Sequence, residues 1–328
     1  MLRHCSRSAT PFLAGCVIAL AMFGWAAPVG AAHLFRVQGL KSVSQRTSSF
    51  KIPRTVYFRE APGRGLIVSA WINGTGPYNF ALDTGAGATI VSSRVAEQSG
   101  AAVISGRAHR IAGLSGTLNS RTARDMKIRS LAVGDRDNSL PAGGAIMTAD
   151  IFPSDIDGVL DPTESYWPLG YVIDFPRGSL SAFDPALMPL RSSQPPVDGT
   201  VVPWVREASG RRPYVLLDDG QKALLDTGSE FGLALRDNNR GSAGERRASE
   251  RRPVQDVGGG TIAARRVAPL TIAIGSLALQ RIPTDLVSGM EVGAPVLLGR
   301  AALRPFRLSF DPINRLIEIA PGERFRGQ

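Results

Sequence analysis

Short apolar segments separated by glycine, proline and polar residues recur along most of the chain. The stretch "GLIVSAWINGTGPYNFALDTG" at residues 65–85 is typical: an apolar run, a glycine-rich turn and a second run of alternating apolar and polar positions. This pattern predicts two antiparallel strands joined by a tight hairpin. The chain contains 36 Gly and 23 Pro and few helix signals, so the pattern as a whole predicts an all-β protein.

A second stretch, "RRPYVLLDDGQKALLDTG" at residues 211–228, repeats this organisation, with "DDGQ" as its predicted hairpin turn. Both stretches end in Asp-Thr-Gly directly after an apolar strand, at Asp83 and at Asp226, 143 residues further on. A single Asp-Thr-Gly is weak evidence of function, because Asp and Gly are ordinary turn formers. Two copies at equivalent places could bring two carboxylates face to face.

Further landmarks follow the two motifs in the same order. They are a glycine-rich tip between two strands (Gly113 to Gly116, and Gly258, Gly259 and Gly260), an apolar strand ending in glycine (Gly134 and Gly275), and a closing hairpin ("VIDFPRGSLSAF" and "LSFDPINRLIEI"). We interpret this agreement as an internal duplication. It predicts two lobes, residues 50–188 and 200–321, joined by a polar, proline-containing linker at 189–199.

The first 32 residues form a separate segment with the features of a secretory signal. A basic start, "MLRHCSRSATP", precedes the sixteen-residue apolar run "FLAGCVIALAMFGWAA" and the small residues of "PVGAA". We expect residues 1–32 to be removed and the protein to be exported to the periplasm or secreted by a bacterium. Retention of the segment as a membrane anchor is the alternative, although the run is short for a membrane span.

Composition excludes several kinds of chemistry. Both cysteines, Cys5 and Cys16, lie in the signal segment, so the mature chain has no disulfide and no thiol nucleophile. The three histidines of the whole chain do not form a zinc-binding cluster or a plausible Ser-His-Asp set. The formal net charge is +10, but no basic stripe interleaved with aromatic residues predicts nucleic-acid binding. We expect no metal or other cofactor, no nucleic-acid partner and no stable membrane insertion.

The two motifs resemble the active-site turns of the aspartic proteases, the pepsin and retropepsin group. "ALDTGAGATIVS" and "LLDTGSEFGLAL" match these turns, and "VLLGRAAL" is similar to the apolar-apolar-Gly motif of the loop behind them. The resemblance extends from about residue 60 over the rest of the chain. It implies a bilobal, pepsin-like fold built from a duplicated retropepsin-type lobe, as in exported bacterial retropepsin-like proteases. One Asp from each lobe implies a competent monomer acting on a polypeptide substrate.

Peptide hydrolysis without a metal needs a base to activate water and an acid to protonate the substrate. Two carboxylates about 3 Å apart supply both, because they share one proton. The candidates for these catalytic roles are Asp83 and Asp226.

The resemblance also assigns roles to the residues that follow each aspartate. It implies that Thr84 and Thr227 hydrogen-bond across the lobe interface, and that Gly85 and Gly228 give their N–H groups to Asp oxygens. Ala86 and Ser229 complete the two turns, and the family allows such a serine to donate its hydroxyl to its own aspartate. That bond would lower the pKa of Asp226, so we expect the shared negative charge on Asp226.

Two departures from the family leave a second function open. The candidate first flap, "AGLSGTL", lacks the tyrosine of pepsin-like enzymes, and Asp161 stands where the family has glycine, matching Gly299. A carboxylate at Asp161 could add a third acid beside the pair or mark a relaxed loop. The leading prediction is therefore an aspartic endopeptidase. The alternative is a catalytically weakened or inactive peptide-binding module of the same fold.

Overall fold

The computed structural model describes residues 50–111, 113, 121–141, 144–207, 210–237, 251–255, 261–290 and 293–322. All of them lie within one compact unit that spans residues 46–328. The predicted signal segment 1–32 and the predicted flap glycines Gly116, Gly258, Gly259 and Gly260 lie outside the described residues. In the described ranges, no helix is both long and apolar enough to cross a membrane.

The described chain is mostly β-structure, as the sequence pattern predicted. The strands in its first part are β1 (Val56–Tyr57), β2 (Arg59–Ala61), β3 (Gly65–Ile72), β4 (Thr75–Leu82), β5 (Ile90–Val91), β6 (Ala102–Ile111), β7 (Arg121–Lys127), β8 (Leu131–Val133), β9 (Ala145–Thr148), β10 (Gly158–Leu160), β11 (Gly170–Asp174) and β12 (Ser179–Phe183). The strands that follow are β13 (Thr200–Pro203), β14 (Val205–Glu207), β15 (Gly210–Leu216), β16 (Lys222–Asp226), β17 (Leu233–Arg236), β18 (Arg251–Gln255), β19 (Thr261–Ile274), β20 (Leu277–Ser288), β21 (Val296–Gly299), β22 (Phe306–Asp311) and β23 (Leu316–Pro321). Three short helices are α1 (Ser93–Gln98), α2 (Pro162–Ser165) and α3 (Arg300–Leu303).

Two of the three sheets have matching strand orders. One sheet follows the order β2-β3-β4-β10-β5-β9-β7-β6, with β8 added beside β3, and the other follows β14-β15-β16-β21-β17-β20-β19-β18. In each, the strand that precedes Asp-Thr-Gly (β4 or β16) pairs in parallel with a later strand (β10 or β21). The first sheet is built within residues 59–160 and the second within 205–299. Strand order and pairing direction therefore repeat along with the sequence landmarks.

The third sheet contains strands from both halves of the chain, in the order β1-β12-β11-β22-β23-β13. Its centre is the antiparallel pairing of β11 with β22, in which Val172 lies opposite Ser309. The hairpins β11–β12 and β22–β23 are the two closing hairpins predicted from the sequence. Tyr171 and Phe310 stack across this pairing with ring centroids 4.5 Å apart, and both are fully buried. One large apolar cluster includes side chains from all three sheets.

The β3–β4 hairpin shows how local sequence places the first motif. Its two-residue turn, Asn73 and Gly74, has φ angles of 53° and 80°, the conformation for which Asn-Gly is preferred. On β4, Tyr78, Phe80 and Leu82 alternate inward and are buried. This alternation puts Leu82 in the core, so the chain leaves the sheet at Asp83.

Candidate active site

Asp83 and Asp226 occupy equivalent positions at the ends of β4 and β16. Leu82 lies opposite Leu160 on β10, and the backbone N–H of Asp83 donates to the Leu160 carbonyl at 3.0 Å. Asp226 lies opposite Gly299 on β21. Each aspartate therefore follows a strand that is held in place by a parallel neighbour.

The threonines that follow the aspartates join the two turns through reciprocal hydrogen bonds. The N–H of each threonine donates to the hydroxyl oxygen of the other, at 3.1 Å in both directions. The hydroxyl of Thr84 donates to the Leu225 carbonyl at 2.6 Å, and that of Thr227 to the Leu82 carbonyl at 3.0 Å. Both threonines are 0% exposed, so all four bonds are shielded from water. These are the cross-links that the family resemblance implied.

The glycines place each turn against the opposite aspartate. A Cβ atom at Gly85 would lie 2.8 Å from the Asp226 Cγ atom, and one at Gly228 would collide with the Asp83 carboxylate. Only a residue without a side chain allows this approach. The N–H of Gly85 donates to Asp83 Oδ1 at 2.7 Å, and the N–H of Gly228 to Asp226 Oδ1 at 2.9 Å. The structure thus brings together two carboxylates from motifs 143 residues apart.

The electrostatics of this pair favour one retained proton. Burial, the negative charge of Asp83 and a hydrogen bond with the Asp83 side chain together raise the pKa of Asp226 to about 8, against its ordinary value of 3.8. The N–H groups of Gly228 and Ser229 act in the opposite direction but are outweighed. At neutral pH the pair therefore holds one proton between its two carboxyl groups.

The hydrogen bonds of Ser229 do not include the one on which the expected charge on Asp226 depended. Its backbone N–H donates to Asp226 Oδ1 at 3.1 Å, but its hydroxyl accepts a hydrogen bond from the Phe231 N–H at 3.3 Å. No hydrogen bond joins this hydroxyl to Asp226 among the described residues. Without that donor, burial and the neighbouring charge determine the pKa of Asp226.

Asp161 is a third carboxyl group next to this pair, and it is buried whereas Asp83 and Asp226 are half-buried. It directly follows Leu160, just as Gly299 follows Leu298, so the structure pairs Asp161 with Gly299 as the sequence alignment did. Its side chain is not pointed into open space: it caps helix α2 by accepting the Thr163 N–H at 2.8 Å. Asp161 is 1% exposed, and burial, followed by the charge of Glu164, raises its pKa to about 8.

The charge of Asp83 makes a smaller contribution to the raised pKa of Asp161. At neutral pH Asp161 is consequently uncharged. At the equivalent Gly299, a Cβ atom would lie 2.5 Å from the Phe231 carbonyl oxygen, so this second loop has no space for a side chain.

Arg300, which the sequence analysis did not single out, supports the second turn from behind. It is 1% exposed, and its Nη1 donates to the carbonyls of Thr227 and Gly228 at 2.8 and 2.7 Å. Glu60 and Glu230 balance its charge at 3.4 and 3.3 Å. A lone arginine in the apolar run "VLLGRAAL" was the available sequence signal, because a buried cation needs such partners.

Arg212 contacts the first turn at a position that does not match that of Arg300 at the second. Its Nη2 donates to the Ala86 carbonyl at 3.2 Å, and a Cβ atom at Gly87 would lie 2.8 Å from Arg212 Nε. Ala86 thus contributes its carbonyl oxygen to the turn. Of the predicted flap residues, only Gly113 is described, half-buried in the connection between β6 and β7. In the part of the chain that the structure describes, no cluster of three or more metal-ligating residues occurs.

Comparison with known protein families finds a match that covers the first motif. A family model described as aspartyl protease matches residues 68–160, which include Asp83, Thr84 and Gly85. No curated protein matches the chain. The family match and the mostly β structure support an aspartyl protease, a class of hydrolase.

Proposed function

We propose that this protein is an exported, retropepsin-like aspartic endopeptidase in which two duplicated lobes each supply one catalytic aspartate. The observation that carries the proposal is the pair of turns at Asp83 and Asp226, held together by reciprocal threonine bonds, in which one carboxyl group retains a proton. The matching strand orders of the two motif-bearing sheets support the duplication. The substrate is an extended polypeptide segment lying across the two turns.

The protonation of the pair determines the roles of the two residues. Asp83, as carboxylate, takes a proton from a water molecule while the water oxygen bonds to the peptide carbonyl carbon, and Asp226 gives its proton to the carbonyl oxygen. The resulting gem-diol then collapses: one of its hydroxyl protons returns to Asp226, Asp83 passes its proton to the nitrogen, and the C–N bond breaks. The pair ends with its original single proton, and no metal or covalent intermediate takes part.

The supporting residues keep this geometry fixed. Gly85 and Gly228 allow the two turns to approach, and their N–H groups orient the carboxylates. Thr84 and Thr227 prevent the turns from separating. Asp161 does not oppose catalysis in this proposal, because its raised pKa leaves it uncharged at neutral pH.

Cleavage of an unfolded protein tests the proposal directly. We expect the full chain to release peptides, and Asp83→Asn and Asp226→Asn each to abolish release while remaining folded. Asp135→Asn serves as the control, since Asp135 is a surface residue with a 72% exposed side chain. Peptide binding by the wild type without any cleavage would instead establish the non-catalytic module. Equal cleavage by the wild type and both active-site variants would refute the catalytic roles.

The assembly and location of the protein are part of the same proposal. Because one chain supplies both aspartates, activity per molecule should not change on dilution. Activity that falls with dilution, together with a dimer in sedimentation, would contradict a monomeric enzyme. Export is supported by the composition of residues 1–32, and N-terminal sequencing of the mature protein would show whether they are removed.

A further inference from the structure

The two active-site turns differ in how the arginine beside each one is neutralised. Arg300, at the second turn, is buried and lies within 3.4 Å of Glu60 and 3.3 Å of Glu230. Arg212, at the first turn, is half-buried and contacts the Ala86 carbonyl. Among the described residues, no carboxylate forms an ion pair with Arg212. One turn therefore carries a neutralised cation and the other an unneutralised one.

The sequence of the turns accounts for this difference. Glu230, four residues after Asp226, pairs with Arg300 and also accepts the Gly63 N–H at 2.9 Å. The residue four positions after Asp83 is Gly87, which has no side chain to offer and a positive φ of 78°. The guanidinium of Arg212 lies where a side chain of residue 87 would be, since a Cβ atom at Gly87 would be 2.8 Å from Nε and 3.1 Å from Nη2.

The neighbouring arginine shows that Arg212 is a specific exception. Arg211 forms an ion pair with Glu164 at 2.8 Å, and its guanidinium lies 4.1 Å from the centre of the Trp167 ring. Its donors and its charge are thus already engaged. Arg212 keeps donors available for an acceptor that the described chain does not supply, and a planar guanidinium binds a carboxylate through two parallel hydrogen bonds.

The position of Arg212 limits which part of a substrate it can reach. Gly85 packs on the Asp226 carboxylate, and Gly87 is two residues further along the same turn. Two Cα–Cα steps of about 3.8 Å each cover at most about 7.6 Å. An extended substrate advances about 3.3 Å per residue, so Arg212 lies within about three residues of the scissile bond.

We infer that Arg212 is a specificity-determining residue that selects substrates with a carboxylate within about three residues of the scissile bond, on one side of it only. The inference rests on the proposed peptidase function. On the other side of the scissile bond we expect no matching preference for a basic residue, because the Glu230 carboxylate is already paired with Arg300. We propose that this carboxylate is the side chain of an acidic residue. A free peptide C-terminus could bind Arg212 in the same way, and the test distinguishes the two.

The test uses the full chain and a set of peptides that share one cleavage site. Glu, Gln, Ala or Lys is placed at each of the three positions on either side, with amidated C-termini. One further peptide carries Ala at all of these positions and a free C-terminus. We expect Glu to raise kcat/KM about tenfold over Gln at one position on one side, the effect of one charge-assisted pair. Arg212→Gln should remove that preference, Arg212→Lys should retain part of it, and Arg212→Glu should favour Lys instead.

Arg211→Gln is the matched control, since it removes a neighbouring charge that already has a partner. It should leave the preference for Glu unchanged, and thermal unfolding of every variant identifies any that fails to fold. Cleavage without an acidic preference, or a preference that survives in folded Arg212→Gln, overturns the inference and leaves the peptidase function standing. A preference confined to the peptide with a free C-terminus also overturns it as stated. Failure to cleave any peptide overturns the proposed function and this inference together.

Discussion

Replacing Asp161 by asparagine removes an ionisable group from the interior while keeping the cap of helix α2. The Asp161 carboxyl group is 1% exposed and accepts the Thr163 N–H at 2.8 Å. Asparagine is as good an N-cap as aspartate, and its side-chain oxygen can accept the same hydrogen bond. The substitution therefore changes the titration of the site more than its geometry.

The expected effect on stability depends on pH. Burial raises the pKa of Asp161 from 3.8 to about 8, so between these values the unfolded chain loses a proton that the folded protein keeps. The unfolded state then binds fewer protons, and wild-type stability falls as pH rises through this window. Each pH unit corresponds to about 1.4 kcal/mol, so the loss at pH 7 reaches about 4 kcal/mol as an upper limit. Asp161→Asn abolishes this loss.

Urea unfolding of both proteins between pH 4 and pH 9 measures the difference. The free energies of unfolding should agree near pH 4, diverge in favour of the variant as pH rises, and keep a constant difference above about pH 8. Asp161→Ala is the control: it removes the same proton but also the cap, so it should be about 1 kcal/mol less stable than Asp161→Asn at every pH. A difference between variant and wild type that does not change with pH would refute the buried, neutral carboxyl group.

Three further predictions concern the paired turns. Because the pKa of Asp226 is raised to about 8, the singly protonated pair should persist through neutral pH, and kcat/KM should fall as pH rises through about 8. A fluorogenic peptide assay in which activity, as pH rises, is already fully lost below pH 6 would contradict this. Thr84→Val should lower the free energy of unfolding by about 2–4 kcal/mol, since two buried groups lose their hydrogen-bond partners. Thr84→Ser keeps the hydroxyl and should retain most of the wild-type stability. Equal urea midpoints for the two variants would count against the cross-links. Arg300→Met should cost about 3 kcal/mol by the same measurement, because the carbonyls of the second turn lose a charged donor, and Arg300→Lys should be intermediate. Wild-type stability in Arg300→Met would show that the turn does not depend on this residue.

The local features of the fold were predictable because their causes are local. Asn73-Gly74 specifies a two-residue turn by its backbone preferences, and alternation along β4 fixes which face is buried. The paired closing hairpins follow in the same way. The repeated Asp-Thr-Gly motif then identified the residues that meet at the two turns.

The hydrogen bonding of Ser229 and the raised pKa of Asp226 could not be predicted from the motif. Serine after Asp-Thr-Gly favoured a charged Asp226, but the Ser229 hydroxyl accepts the Phe231 N–H instead, and burial raises the pKa of Asp226. A hydroxyl can adopt several orientations, and the surrounding backbone selects one. Solvation is likewise a property of the packed site, which sequence spacing does not express.

The sequence by itself determined the all-β character, the repeated motif and the residue types available for chemistry, because hydrophobic periodicity and turn preferences act over a few residues. Only the tertiary structure decided how charges are distributed around the paired turns. Arg300 meets Glu60 across 240 residues of chain, and Arg212 meets Ala86 across 126. Such contacts depend on how sheets from distant segments pack. How strongly each charge interacts with its neighbours, and how far it shifts their pKa values, depends on how completely that packing excludes water.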